Sequence, residues 1–381
     1  MKLSLALLKA IALLLILSLI AIGCGSNGDT SPNTETLETS DSTAGLPGEG
    51  VSFKMARANW DDGYFHAALF RMLLQRLGYE VNDPAEKELA PNIAYIAMAE
   101  GDIDFWTNSW FPNHNSWLIH KLSDGSLVGD HISRIGGFMS AGLLQGYFIT
   151  KSFAEKYGIR TMDDINRNAD VIAAYDADDF DPGNGIVDMY ACPEAWTCDD
   201  IIRGQIAFSD LDNIKPILAS YEAMFAEAIS KIDEGKPVIL HSWSPSPYIT
   251  QLQPGEKVMW IGVEEVIDDS NPLGCPGGEG WDQRPGQANI SADSCLYIVD
   301  NGTCQTGFKP ADIVVTARND LLDNHPVAKK LFEVATIEPI IVAQMITRVR
   351  NQEDPEDLAL EWIADNSELV DGWLAEARAA A

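Results

Sequence analysis

Val51-Ser52-Phe53-Lys54-Met55-Ala56-Arg57-Ala58-Asn59 is followed by Tyr64, Ala67, Ala68, Leu69, Met72, Leu73 and Leu77, and then, past Gly78, by Tyr79-Glu80-Val81. The first run fits a strand. The second set recurs at the spacing of a helix that buries one face, and the third opens another strand. A strand, a helix and a strand in that order set the class as α/β. Working outward, 90–100 predicts a helix and 102–108 a third strand, which ends at the turn Ser109-Trp110-Phe111-Pro112. Gly146 marks a change of lobe. Beyond it Tyr147-Phe148-Ile149-Thr150 reads as a short strand, and Ser152 as the cap of a helix over 153–157.

The alternation then repeats. Strands are expected at 171–175, 214–218, 238–243 and 258–263, and helices at 199–211 and 221–232. The stretch 268–309, rich in Gly and Pro, reads as loop. A strand at 311–317 returns the chain to the first sheet, and helices from Leu321 onward, including 358–363 and 369–375, complete it. Residues 51–145 with 311–381 thus form one discontinuous lobe and 146–310 the other. About 330 residues exceed what one compact core usually holds. Two α/β lobes with the chain crossing between them place a ligand cleft at the strand ends.

The N-terminus carries Lys2 and Lys9, an apolar run from Ala10 to Ile22, and then Gly23-Cys24. That order is the charged, hydrophobic and small-residue pattern of a secretory signal over 1–23, too short to span a bilayer comfortably. Ala21-Ile22-Gly23-Cys24 resembles a bacterial lipobox, so Cys24 is the expected site of lipidation. Residues 24–50 lack aromatic side chains and are dominated by small and polar ones, a composition that cannot bury enough to order itself and suits a tether. The net charge is −31, and loss of the two leader lysines moves it to −33. A chain this acidic, with no basic cluster, argues against nucleic acid as a partner, and its charge reads as a solubility device suited to salty surroundings; a monomer is expected.

Five further cysteines, Cys192, Cys198, Cys275, Cys295 and Cys304, lie where disulfides persist. Cys192 and Cys198 close a tight loop, one more bridge is expected among the other three, and one thiol is left over. No pair has zinc-ligand spacing, so neither a metal nor a cofactor is expected. Asp176, Asp178, Asp179, Asp181, Asn184 and Asp188 surround Pro182-Gly183 in a pattern similar to a calcium loop. No bidentate Glu closes it, and Asx-turn chemistry explains the same residues. Inside the cysteine loop, Cys192-Pro193-Glu194-Ala195-Trp196-Thr197-Cys198, the indole of Trp196 is held still. A fixed Trp face is what a quaternary ammonium ion needs, because it offers no hydrogen bond and is drawn to the ring quadrupole. Trp110 and Trp243 stand in comparable contexts at strand ends, and Trp60, after the first strand, is a further candidate. Trp117, Trp260, Trp362 and Trp373 read as core, and Trp106, close before Trp110, as core or as the floor of the cleft.

At these residues the chain resembles the soluble binding protein of glycine betaine and proline betaine ABC transporters, from about Val51 to the C-terminus. The matching pieces are Trp110-Phe111-Pro112-Asn113-His114, Ala195-Trp196-Thr197 between the two cysteines, Trp243-Ser244-Pro245, and Val370-Asp371-Gly372-Trp373. The resemblance implies a two-lobe periplasmic-binding-protein (Venus flytrap) fold. It implies that Trp110, Trp196 and Trp243 box a trimethylammonium head, while His114 and the amides of Thr197 and Cys198 take a carboxylate. It also implies a membrane permease as partner, and no catalysis. Thr197 stands where Gly occurs in well-known members, which bears on how closely the carboxylate approaches the backbone.

Choline, carnitine, proline betaine and sulfonium osmolytes compete with glycine betaine as the ligand. A surface hydrolase is the rival from another class, but neither a Gly-x-Ser-x-Gly elbow nor a His-Glu-x-x-His helix is present. A purely structural envelope lipoprotein is the third reading.

Overall fold

The computed structural model describes residues 45–266 and 286–381. The leader, Cys24, the start of the tether, Cys275 and Trp281 lie outside the described residues. The strands in chain order are β1 (Ser52–Phe53), β2 (Met55–Ala58), β3 (Glu80–Val81), β4 (Glu88–Leu89), β5 (Phe105–Phe111), β6 (Ile132–Thr150), β7 (Val187–Tyr190), β8 (Ile214–Ile217), β9 (Ile239–Ser244), β10 (Val258–Ile261) and β11 (Ala311–Arg318). The helices before β7 are α1 (Asp61–Gln75), α2 (Pro91–Ala99), α3 (Asn115–Leu118), α4 (Val128–His131), α5 (Lys151–Tyr157), α6 (Met162–Arg167) and α7 (Ala169–Asp176). After it come α8 (Thr197–Phe208), α9 (Tyr221–Asp233), α10 (Pro247–Leu252), α11 (Asn319–Asn324), α12 (Pro326–Val334), α13 (Pro339–Arg350), α14 (Pro355–Asp365) and α15 (Ser367–Arg378).

The main sheet runs β4-β2-β5-β11-β6-β9-β7-β8, with β10 also on β6. Its centre is β6, 19 residues long. The first part of β6 pairs antiparallel with β11, as far as Leu143 opposite Ala311. From Leu144, opposite Ser244, it pairs instead with β9, and its last four residues pair with β10. Sequence pattern shows only the last four residues of this strand because the rest is broken by glycines. Gly136 and Gly142 have φ of +68° and +72°, and the register against β11 shifts around both, as β-bulges require. At Gly136 a side chain would also strike the carbonyl of Phe332 on α12.

On one side of β6, parallel β2 and β5 carry α1 against α13 and α14; on the other, parallel β7, β8 and β9 carry α8 and α9. The return of the chain through β11 to β5 is as the sequence predicts. Several expectations differ. Residues 171–175 are helix, not strand: Asn168 caps α7 by accepting from the amides of Asp170 and Val171, and buried Val171 and Tyr175 are four residues apart. Helix α5 begins at Lys151 without a side-chain cap, so Ser152 lies inside it. Strand β5 continues through Trp110 to Phe111, and Ile313 of β11 pairs opposite Trp110. Trp117, expected in the core, is half-buried at the surface of α3.

Both expected bridges form, Cys192 with Cys198 and, among the last three, Cys295 with Cys304. The acidic loop after α7 spends its carboxylates on its own backbone. Asp176 accepts from the amides of Gly183, Asn184 and Gly185, and Asp188 from that of Asp181.

A buried polar chain underlies β5. Asn108 Nδ2 donates to Asp62 Oδ2 at 3.0 Å and to His66 Nδ1 at 2.9 Å, while Asn108 Oδ1 accepts from Trp110 Nε1 at 2.7 Å. Burial lowers the His66 pKa to about 3 and raises that of Asp62 to about 7. The folded protein therefore holds a proton on Asp62 more tightly than the unfolded chain, where such a carboxyl titrates near pH ~4. Stability from this source is present at acid pH and lost as pH rises from ~4 through ~7. The D62N variant removes the titration, so its stability relative to the parent should climb across that window, by on the order of 4 kcal/mol at pH ~8. Urea midpoints of both proteins from pH ~4 to ~8 measure this, and a difference that stays flat with pH would clear Asp62 of the effect.

Candidate binding site

The four indoles singled out in the sequence line one cavity together with His114, Thr197 and Cys198. Each arrives from a different place. Trp60 immediately precedes α1, Trp110 ends β5, Trp196 precedes α8 and Trp243 lies near the end of β9. The peptide bonds Phe111-Pro112 and Ser244-Pro245, just after Trp110 and Trp243, are both cis. All four indoles are buried, with Trp60 and Trp196 the most exposed at 8%.

Trp196 is the hub of the aromatic wall. Its ring meets Trp60 and Trp243 edge to face, each at 5.6 Å, and stacks on Tyr221 at 5.9 Å. Its Nε1 donates to Asn59 Oδ1 at 3.1 Å, across from the sheet half that holds β2. A second bond reaches across from the same side: Trp117 Nε1 donates to Thr197 Oγ1 at 2.8 Å. The indole N–H groups of Trp110 and Trp196 thus have acceptors of their own, which leaves apolar ring surface for the cavity.

The Trp-x-Pro-x-His spacing closes a turn on itself. The amide of His114 donates to the Trp110 carbonyl at 2.8 Å, and the amide of Trp110 donates to His114 Nδ1 at 3.2 Å. An imidazole nitrogen that accepts from a backbone amide carries no proton, so the proton of the neutral ring sits on Nε2. Burial lowers the His114 pKa to about 3, and the ring is neutral at physiological pH. It lies nearly parallel to Trp106, centroids 6.0 Å apart, which fixes its plane.

Helix α8 starts two residues earlier than the sequence suggests. Trp196 is its N-cap and supplies no side-chain cap, so Thr197 and Cys198 contribute first-turn amides, which lack partners within the helix. Such amides, with the helix dipole behind them, favour an anion. Asp199, which would compete for that field, is turned aside: Arg203 Nε donates to its Oδ2 at 2.8 Å. Burial raises the Asp199 pKa, with Arg203 opposing.

Four lining residues escaped the sequence reading: Pro91, Asn113, Gln145 and His241. Alternation along β9 carried two residues back from Trp243 points to His241, since both lie on one face of the strand. Gln145, opposite Trp243 in the ladder, follows in turn. His241 Nε2 sits 3.3 Å from Gln145 Oε1, and burial lowers the His241 pKa to about 3.

Residues 52–365 match the family model described as the substrate binding domain of ABC-type glycine betaine transport systems. The chain is 28% identical over 349 residues to the glycine betaine/proline betaine-binding periplasmic protein of Escherichia coli K12, covering 90% of this chain and 95% of that one. It is likewise 28% identical over 341 residues to the glycine betaine-binding periplasmic protein OusX of Dickeya dadantii, covering 88% and 92%. Among solved structures it is similar to lactococcal OpuAC in its closed-liganded conformation with glycine betaine, at a TM-score of 0.57 and 15% identity over 85% of this chain and 99% of that one. A choline-binding protein of an ABC transporter in complex with choline gives a TM-score of 0.59 and 16% identity over 86% and 96%. The fold is the two-lobe α/β binding-protein fold with a cleft between the lobes. This chain belongs to the family of substrate-binding domains of ABC-type glycine betaine transport systems.

Proposed function

We propose that this protein is an extracytoplasmic receptor, anchored through a lipid on Cys24, that captures glycine betaine and delivers it unchanged to the permease of an ABC importer. Residues 51–145 with 311–381 form one lobe and 146–310 the other, and closure between them completes the site. Trp110, Trp196, Trp243 and Trp60 surround the trimethylammonium group, and His114 Nε2 with the amides of Thr197 and Cys198 takes the carboxylate. The observation that carries this reading is the convergence of four buried indoles, a neutral imidazole and an uncapped helix start on one cavity.

The energetics require both halves of the site. A desolvated cation–π contact contributes up to ~2 kcal/mol, so four give at most roughly 8 kcal/mol before the entropy of association is subtracted. Micromolar affinity needs roughly 8 kcal/mol after the entropy of association has been met. The carboxylate supplies the difference. No metal, cofactor or catalytic group enters the reading, and the receptor works as a monomer.

Titration calorimetry on the whole chain tests the two halves separately. W196A should weaken glycine betaine binding by ~2 kcal/mol or more with the fold retained; an unchanged affinity would remove Trp196 from the site. Choline has the same cationic head and no carboxylate, so it should bind at least about tenfold more weakly than glycine betaine, ~1.4 kcal/mol. Equal affinities would refute the anion subsite.

A further inference from the structure

The guanidinium of Arg350, the last residue of α13, joins two segments far apart in the chain that each support one wall of the cavity. Its Nε lies 2.9 Å from Asp61 Oδ2, in the geometry of an ion pair rather than an aligned hydrogen bond. Its Nη2 donates to Tyr248 Oη at 2.6 Å, and its Cζ sits 4.1 Å from the centre of the Tyr248 ring. Asp61 is the first residue of α1, directly after Trp60. Tyr248, in α10, packs its ring 5.2 Å from Trp243 and 4.7 Å from Tyr221, the ring on which Trp196 stacks. One planar, permanently charged group thus reaches the backing of Trp60 on one side and of Trp243 and Trp196 on the other.

We infer that Arg350 is a positioning residue that clamps the two walls of the cleft, so that ligand retention depends on a side chain that does not line the cavity. Neither Arg350, Asp61 nor Tyr248 is among the lining residues. The arrangement differs from that of Arg348 two residues earlier, whose partners Glu353 and Glu361 are exposed and close in sequence. Such pairs are local surface contacts and contribute little. Arg350 instead carries a bond across 102 residues of chain to a Tyr that is 1% exposed. Lys could not replace it, since a point charge cannot satisfy a carboxylate, a hydroxyl and a ring face from one place. The inference deepens the receptor reading and rests on it.

The test uses the full chain, glycine betaine as probe, and the variants R350A, D61N and Y248F. Each should bind at least tenfold more weakly, mainly through faster dissociation in stopped-flow traces, because the clamp holds the closed cleft rather than the ligand. D61N keeps the Arg and removes only the ion pair, so it decides the matter if R350A fails to fold. Hydrogen exchange without ligand gives an independent reading: in R350A, residues 59–63 and 246–250 should exchange faster while 311–318 stay as in the parent. Should the parent not bind glycine betaine, the ligand assignment fails and the exchange pattern alone decides the clamp. Unchanged affinity, or exchange rising equally throughout β11, overturns the positioning role.

Discussion

Strand β6 forces both halves of the sheet to share one backbone. Over its first part it is edged by β11, which leads to β5 and Trp110; over its last part it is edged by β9, which carries Trp243. The change of partner between Leu143 and Leu144 is the place where the sheet divides, and a division in an open α/β sheet is where loops diverge and a crevice opens. Gln145, the next residue but one, lines the cavity. The site is therefore set by the strand that crosses the molecule, and the aromatic residues are delivered to it by elements on either side.

Once the crevice exists, polar groups beneath it determine which faces it shows. Trp110 is held by Asn108, Asn108 by Asp62 and His66, and the His114 ring by the Trp110 amide and Trp106. Burying such groups is costly unless each finds a partner. What remains unpaired is informative: Asp62 Oδ1 and His66 Nε2 have no partner, and burial drives both groups toward their neutral forms. The His66 ring is neutral at physiological pH, whereas Asp62 exchanges its proton near pH 7.

The parts of the molecule legible in sequence were those with a local signature. The helical spacing of α1, the cysteine-closed loop and the Trp-x-Pro-x-His turn each close within a few residues, and the structure brings Trp60, Trp110, His114, Trp196, Thr197, Cys198 and Trp243 to one cavity. Elements defined by distant partners were not legible. The glycines of β6 hide a strand because its bulges make sense only against β11. Residues 171–175 form a short apolar run that strand and helix explain equally well from sequence. What decides for helix is the Asn168 cap and the hydroxyl of Tyr175, which donates to the Asp188 carbonyl and accepts from the Ile239 amide. Arg350 carries no signal at all, since Asp61 and Tyr248 meet it only in three dimensions.

On the receptor reading, the contacts across the cleft also have to be weak enough to release. Trp196 to Asn59 and Trp117 to Thr197 are neutral hydrogen bonds, each contributing on the order of 1 kcal/mol net. The Arg350 contacts are partly buried, with side chains 25% and 18% exposed for Arg350 and Asp61, so their ion pair keeps part of its strength while the desolvation of both groups offsets the rest. Their sum is comparable to the few kcal/mol that separate conformers of a protein populating both. A ligand that touches both walls adds its differential affinity to that balance, and a preference of about 5.5 kcal/mol carries a two-state equilibrium from one extreme to the other. Four indoles split between the two sides of one strand meet that condition, because a cation seated among them gains its full contact only when both sides are present.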